Sequence, residues 1–335
     1  MKYSLPVLLF FFSVINVYSQ ATNGGYSTSF LQREVSSRVA GLGGAFTAIA
    51  DDPNGLFYNP GGLSVIDDFY HISTTFAVLE FGRVHSTLAA TKKLSNDFSI
   101  GLTINNLAGT EFTSRNPLGD PIGMLSENQI AIGASVGYKV GDVSLGATTK
   151  YLNRNLSGTA LNGNGFALDF GTKIHLIDDY TIGFALQNIG GKMSWNEFND
   201  IELIPYTIRA GVAKKFSLGE EDVYSEVHPK FTLPERYVLT TVDFSLTQFD
   251  TIPRVVIGAE IVPLSLVTIR CGFTILGNDN GSFGILPLTT LGGGISIRPP
   301  ISNEFPVNLE LEYSIAKDHI SRGRMGHFFS VNLLF

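Results

Sequence analysis

The feature that most constrains this chain is a period-two alternation of apolar and polar residues, repeated in long runs from Asp68 to the C-terminus. Such alternation is typical of β-strands whose two faces meet different surroundings. About fourteen runs are bounded by Gly, Asn, Asp or Pro, and most reach the ~10 residues that let a tilted strand cross a bilayer. The pattern predicts an all-β fold: a transmembrane antiparallel β-barrel of about 14 strands.

The composition of the polar face separates this fold from a soluble β-sandwich. One predicted strand sets Val143 and Leu145 on one face and Ser144 and Lys150 on the other. A sandwich would turn its polar face to water and enrich it in Lys and Glu. Here that face is mostly Ser, Thr, Gly and Asn, as expected for a closed interior, so the sandwich is the weaker alternative. Closure is expected because an open sheet edge in lipid leaves backbone groups unpaired.

A few charged residues fall on the predicted inner face of the strands. Their neighbours on the opposite face are apolar, for example Val255, Ile269 and Leu311. We therefore expect a mixed-charge network that lines the lumen and contacts whatever fills it. Its candidate members are Asp169, Arg254, Glu260, Arg270, Glu310 and Glu312.

Composition excludes several classes of function. The net charge is -7 and charged residues make up 16% of the chain, so neither nucleic-acid binding nor intrinsic disorder is expected. The one cysteine, Cys271, can form neither an intrachain disulfide nor a structural zinc site. The six histidines are scattered and no Gly-x-Ser-x-Gly elbow occurs. We expect no cofactor, no metal and no enzymatic activity, although a site assembled across strands stays a minor alternative.

The two ends of the chain indicate export to a membrane. Lys2 precedes an apolar run from Leu5 to Val17, and a cleavable pattern follows at Ser19. The run has about 13 residues, below the ~20 of a spanning helix, so an uncleaved anchor is less favoured than a signal peptide. The predicted domains are a signal peptide at 1–19, an N-terminal segment at 20–66 and a barrel at 67–335. The chain ends on an amphipathic strand with a terminal aromatic, Phe335.

The segment before the barrel carries the most specific motif, which reads SSRVAGLGGAFTAIADDPNGLFYNPGGL over residues 36–63. It resembles the N-terminal signature of the FadL-like outer-membrane proteins, in particular their PorV/PorQ branch. Gly61 departs from that signature, which usually has Ala there. In the family this segment folds as a hatch inside the barrel, so the resemblance implies a hatch over 20–66. The residues of the motif are Arg38, Gly41, Gly43, Gly44, Asp51, Asp52, Asn59, Pro60 and Gly61.

The resemblance also implies a function and a location. It implies a protein of the bacterial outer membrane that passively transports hydrophobic compounds; the alternative is an accessory role in type IX protein secretion. The implied partners are outer-membrane lipid, the barrel assembly machinery during biogenesis, and either a hydrophobic solute or a secreted protein cargo. No nucleic-acid partner is expected.

A candidate exit route follows from the third predicted strand. Its alternation would turn Asn106 to lipid and Leu107 inward, and a bulge at Asn105 and Asn106 would reverse both. FadL-like transporters release solutes sideways through a kink in their third strand, so the resemblance makes this pair a candidate lateral gate beside the Asn59-Pro60-Gly61 turn. A plain strand end is the alternative.

Connections are expected to alternate between short turns and long loops. Short turns are predicted at Val140 to Asp142, Leu176 to Tyr180 and Val262 to Ser265. The long connection at 218–233 falls on the side of the short turns, so it is either a missed strand or an excursion.

Overall fold

The computed structural model describes residues 28–66, 70–196, 201–219, 235–250, 253–264, 266–276, 291–299, 307–317 and 325–335. The predicted signal peptide and most of the 218–233 connection lie outside the described residues. The strands within these ranges are β1 Tyr70–Val78, β2 Val84–Lys93, β3 Phe98–Ala108, β4 Phe112–Arg115, β5 Pro121–Val140, β6 Val143–Ser157, β7 Asn162–His175, β8 Tyr180–Trp195, β9 Ile201–Leu203, β10 Thr207–Ser217, β11 Tyr237–Thr247, β12 Arg254–Leu264, β13 Val267–Leu276, β14 Leu291–Ile297, β15 Asn308–Lys317 and β16 Met325–Leu334.

Fourteen of these strands form a closed antiparallel barrel. β1 pairs with both β2 and β16, and β8 pairs with β10, so the sheet has no open end. The remaining two strands, β4 and β9, are short and pair only with β5 and β8. Closure leaves no open sheet edge, which is the condition for a sheet to span a bilayer. The predicted fold class and strand number are confirmed.

The two faces of the wall differ as the alternation predicts. On β16, Phe329 and Val331 point outward and are 50% and 36% exposed, whereas Ser330 and Asn332 point inward and are 2% and 5% exposed. The apolar outer face and the polar inner face are those of a membrane barrel. No helix in the described part of the chain has the length and apolarity to cross a membrane.

Turn positions agree with the sequence, and two details of the strands do not. The three predicted short turns join β5 to β6, β7 to β8 and β12 to β13. The alternation over residues 203–217 predicts one continuous strand, but β10 begins only at Thr207, because Pro205 has no N–H to donate and β8 bulges opposite it. The bulge predicted at Asn105 and Asn106 is wrong, because β3 pairs with β2 and β5 in unbroken register.

Residues 28–66, here called the plug, lie inside the barrel. The plug contains one short α-helix, α1 (Ser37–Gly41), and three short 3₁₀-helical turns at Ser29–Gln32, Pro53–Phe57 and Pro60–Val65. α1 contacts β13 to β16, whereas the turn Pro60–Val65 contacts β3 and β5 to β8 on the other side of the barrel. Contact with both sides places the plug in the lumen. Most of its apolar side chains, among them Val39, Leu42 and Phe46, are buried.

Glycines on the wall let the plug backbone touch the strand backbone. A Cβ added at any of seven inward glycines would come within less than 3.0 Å of a plug atom, closer than real Cβ contacts. At five of them an atom of the plug backbone, which cannot rotate away, lies within this distance. The seven, here called the plug-facing glycines, are Gly101, Gly137, Gly146, Gly171, Gly183, Gly272 and Gly292. The plug is therefore fitted to the wall at main-chain contact distance.

Two adjacent glycines of β14 test this fit. Gly292→Ala would force a methyl against the carbonyl oxygen of Ala40, whereas Gly293→Ala would point its methyl outward into open space. We expect Gly292→Ala to destabilise the protein by about 1–3 kcal/mol, as overpacking does. The measurement is the temperature at which the folded band disappears on detergent gels. Equal temperatures for the two variants would contradict a tight plug.

Candidate functional site

The candidate site is the contact between the plug and the inner wall, and a buried ion cluster lies at its centre. Arg38 of α1 bonds through Nε to Glu260 on β12 at 2.9 Å. Its Nη1 pairs with Asp51 at 2.6 Å and with Asp52 at 2.9 Å, both of which belong to the plug. Tyr237 also donates its hydroxyl to Glu260 at 2.6 Å. Arg38 thus joins two parts of the plug to the wall.

The cluster continues along the wall through Arg270 on β13. This guanidinium contacts Glu260, and it pairs with Glu312 at 2.9 Å and with Glu310 at 3.4 Å. Arg298 adds a second cation on Glu310 at 3.0 Å. Four of the six predicted lumen residues, from three different strands, therefore meet in one cluster with Arg38. Arg298 extends this cluster.

The cluster keeps Arg38 charged despite its burial. Burial lowers the pKa of the Arg38 guanidinium, but three neighbouring carboxylates more than offset this, so its pKa lies well above the ordinary value. The ring of Phe46 lies 5.3 Å from the guanidinium carbon and covers it. A charged group so enclosed is costly to separate from its partners.

The two other lumen candidates lie elsewhere. Arg254 donates to the carbonyl oxygen of Gly43 at 2.8 Å and pairs with Glu34 at 3.2 Å. Gly43 and Gly44 have φ values of +67° and +94°, which favour glycine, so the chain can turn here beneath Arg254. Asp169 belongs neither to the Arg38 cluster nor to the contacts of Arg254; it pairs with Lys150 on β6.

The Asn59-Pro60-Gly61 turn is the second place where plug and wall meet. Asn59 is fully buried; its Nδ2 donates to the carbonyl oxygens of Thr47 and Thr172 at 2.8 and 3.0 Å, and its Oδ1 accepts from the N–H of Gly61. A Cβ at Gly61 would meet the backbone of Thr172 at 2.7 Å. The glycine in place of the alanine of the FadL-like signature thus permits this close approach to β7.

Several further wall residues, which the sequence did not single out, hydrogen-bond the plug backbone. Asp243 on β11 accepts from the N–H groups of Phe46 and Thr47 at 2.9 and 2.6 Å. Lys173 donates to the carbonyl oxygen of Ile49, and Gln187 donates to that of Phe57 at 2.6 Å. The alternation could have identified Lys173 and Asp243, because each is a charged residue at a strand position that faces the lumen.

The candidate gate residues lie along β3 from the level of the Asn59-Pro60-Gly61 turn. The turn meets Gly146, which is in register through Gly137 with Ser99, six residues before Asn105. Asn105 points inward and its Oδ1 lies 2.7 Å from Nε2 of His85. Asn106 points outward, as the unbroken alternation requires, and its amide donates to Oδ1 of Asn128 and the carbonyl oxygen of Gln129. Pairing offsets the cost of an outward amide without a bulge.

The wall is interrupted instead beside β8. Its register with β7 shifts twice, near Asn188 and Gly190, both of which have positive φ. On the other side, β8 pairs with β9 as far as Lys192 and with β10 only from Gln187. The backbone ladder between β8 and β10 is therefore broken across residues 188–190 and 205–206, and at its edge the N–H of Ile204 donates to the carbonyl oxygen of Gly191 at 3.0 Å.

Polar side chains bridge this interruption in the wall. Asn188 donates its backbone N–H to Asp169 at 2.7 Å and its amide to the carbonyl oxygen of Pro205 at 3.2 Å. Lys150 pairs with Asp169 at 2.8 Å and also contacts Oδ1 of Asn188. These contacts replace part of the missing ladder.

A small internal cavity lies behind the interruption. Asn188, Asp169 and Lys150 line it from the wall, and Leu31 and Phe57 line it from the plug. Its volume of about 20 Å³ is sufficient for one water. A benzene-sized molecule needs roughly 150 Å³, so a hydrophobic solute would enter only after side chains move.

The closed 14-strand barrel with an apolar exterior defines a protein of the bacterial outer-membrane type. No protein-family model and no curated protein matches the chain. Several solved structures do.

The chain is similar to the toluene transporter TbuX of Ralstonia pickettii, with a TM-score of 0.56 and 15% identity over 90% of this chain and 98% of that one. It is also similar to the toluene transporter TodX of Pseudomonas putida, with a TM-score of 0.55 and 13% identity over 89% and 96% of the two chains. A third similar structure is a FadL homologue of Pseudomonas aeruginosa, with a TM-score of 0.54 and 11% identity over 90% of this chain and 98% of that one. The fold is therefore FadL-like over nearly the whole described barrel.

The ion cluster can be tested at Glu260, which binds both Arg38 and Arg270. Glu260→Gln removes a buried charge from between two guanidinium groups, and we expect a loss of about 3 kcal/mol. This is the low end for a broken buried pair, since each arginine keeps other carboxylates. The measurement is denaturant unfolding in detergent, followed by the fluorescence of the single tryptophan, Trp195.

The matched control is Glu235→Gln. Glu235 pairs with Lys215 at the exposed end of β10, where an ion pair contributes about 0–1 kcal/mol. Equal losses for the two variants would show that the buried cluster does not hold the plug.

Proposed function

We propose that this protein transports a small hydrophobic compound passively across the outer membrane. The observation that carries the proposal is the break in the wall between β8 and β10, which adjoins the internal cavity. A compound in that cavity would have a route sideways into the bilayer. The FadL-like fold supports the proposal, since TbuX and TodX are toluene transporters.

The route avoids the centre of the lumen. The plug contacts the wall at main-chain distance and the ion cluster joins the two, so a straight path would require the plug to leave. Movement of Asn188, Leu31 or Phe57 is a smaller change. The contacts at the break that have to open are those of Asn188 with Asp169, Pro205 and Lys150. The hydrogen bond from the N–H of Ile204 to the carbonyl oxygen of Gly191 closes one edge of the break.

We also propose that the chain is of the PorV/PorQ type, on the ground of the motif at residues 36–63. On that basis its domains are a signal peptide, a hatch and the barrel, with boundaries as predicted above. An accessory role in type IX secretion then becomes the alternative function. It predicts a phenotype in secreted proteins rather than in the uptake of solutes.

A gene deletion with two readouts separates these functions. We expect the deletion to slow uptake of labelled toluene or hexadecane and to leave the extracellular proteome unchanged, with wild-type protein restoring uptake. Loss of secreted proteins with normal uptake would overturn the transport proposal in favour of export.

The route itself is tested by a reversible staple. Cysteines at Gly191 and Ile204, in a Cys271→Ser background, lie at the edge of the break. A Cβ on Gly191 would be 2.8 Å from that of Ile204, so the two segments have to move apart by about 1 Å to reach the ~3.8 Å of a disulfide. We expect the oxidised form to lose most uptake activity and to regain it on reduction.

The control disulfide joins β8 to β10 in the continuously paired region beyond the break. Phe184→Cys and Ala210→Cys are directly opposite in the continuous ladder and face outward. This staple is expected to leave uptake unchanged. Equal uptake in the oxidised and reduced forms of the first variant would exclude the route.

A further inference from the structure

The outer surface of β1 to β7 carries a groove that no part of the transport route uses. Its volume is about 710 Å³ and its lining is almost wholly apolar. Three alanines, Ala90, Ala134 and Ala147, face outward there among larger side chains such as Leu102 and Phe170. Small residues on three of the strands leave a depression in the otherwise bulky apolar surface.

The groove has a charged group at one end. Lys92 is the one charged residue among the described residues that line it. It pairs across the sheet with Tyr70, and its Nζ lies 4.9 Å from the centre of the Tyr70 ring. Both residues lie at strand ends, where β1 begins and β2 ends.

Aromatic residues mark this level as the membrane interface. Phe98 on β3 and Tyr138 on β5 form a cross-strand pair further along the same rim. The Phe98 side chain is half-buried and the Tyr138 side chain is exposed. Outward aromatic residues at strand ends are typical of the headgroup level of membrane barrels. Lys92 is therefore at the depth of the lipid phosphates, and the groove extends from it into the hydrocarbon layer.

We propose that this groove binds one phospholipid with an anionic headgroup. Its acyl chain lies in the apolar depression and its phosphate contacts Lys92. The shape and the charge fit the same occupant, because a phospholipid places its phosphate and its chains at these two depths. The proposal does not depend on the transport function.

The bound lipid would contact the wall close to the plug. The groove continues into a second hollow that shares Val136, Ala147 and Phe170 with it. This hollow is lined by Gly137, Gly146 and Gly171, the plug-facing glycines that meet the plug on the other side. Only the strand backbone separates the two surfaces there.

The test compares lipid retention by native mass spectrometry of protein from nanodiscs. The discs contain equal parts of phosphatidylglycerol and phosphatidylcholine with identical chains. We expect wild-type protein to retain one phosphatidylglycerol in preference to phosphatidylcholine. Lys92→Gln should reduce that preference about fivefold, the effect of one cation near the headgroups. Ala134→Phe should fill the groove and reduce retention of both lipids.

Two variants outside the groove serve as controls. Lys214→Gln removes another rim lysine, which lies 4.2 Å from the Tyr180 ring, and Val212→Phe enlarges an outward side chain on β10. Both are expected to retain lipid as wild type does, and heat-modifiable mobility verifies that each variant is folded. Unchanged retention by folded Ala134→Phe would overturn the proposal. Equal effects of Lys92→Gln and Lys214→Gln on the lipid preference would also overturn it, because any lysine at the rim would then attract anionic lipid and no specific site would be involved.

Discussion

The structure depends on main-chain contact between a non-repetitive plug and the inner wall of the barrel. A β-barrel wall normally presents side chains to its lumen, and these keep any enclosed segment several ångströms from the strands. Here seven strands place a glycine where the plug passes. The plug itself places Gly61 against the backbone of Thr172. Each contact removes the space that a side chain would need, so plug and wall are fitted to one another along the chain.

Charges make this fit specific as well as tight. Burying an ion pair gives little net stability by itself, but breaking one leaves a buried charge without its partner. Arg38 binds the plug's own Asp51 and Asp52 as well as Glu260 of the wall, so a shifted plug would lose several pairs together. Asp243 adds a fixed acceptor for two plug N–H groups. A displaced plug is thus disfavoured at both polar and apolar contacts.

The sequence predicts the barrel well because alternation records which face of each strand meets lipid. It also places Glu260, Arg270, Glu310 and Glu312 on the inner face, since parity is a local property. It does not predict the break at Asn188, because a bulge depends on how β7, β8 and β10 pair. The bulge expected at Asn105 and Asn106 fails for the same reason: Asn128 and Gln129, on another strand, supply the partners for the outward amide.

The most direct test is amide hydrogen exchange of residues 36–63 in a lipid bilayer, measured by mass spectrometry. Exchange reports how often a segment opens, and amides in non-repetitive turns ordinarily exchange fast. A plug held at main-chain distance predicts protection of these amides comparable to that of the barrel strands β12 to β14. Exchange of the segment within seconds, while those strands stay protected, would contradict the account.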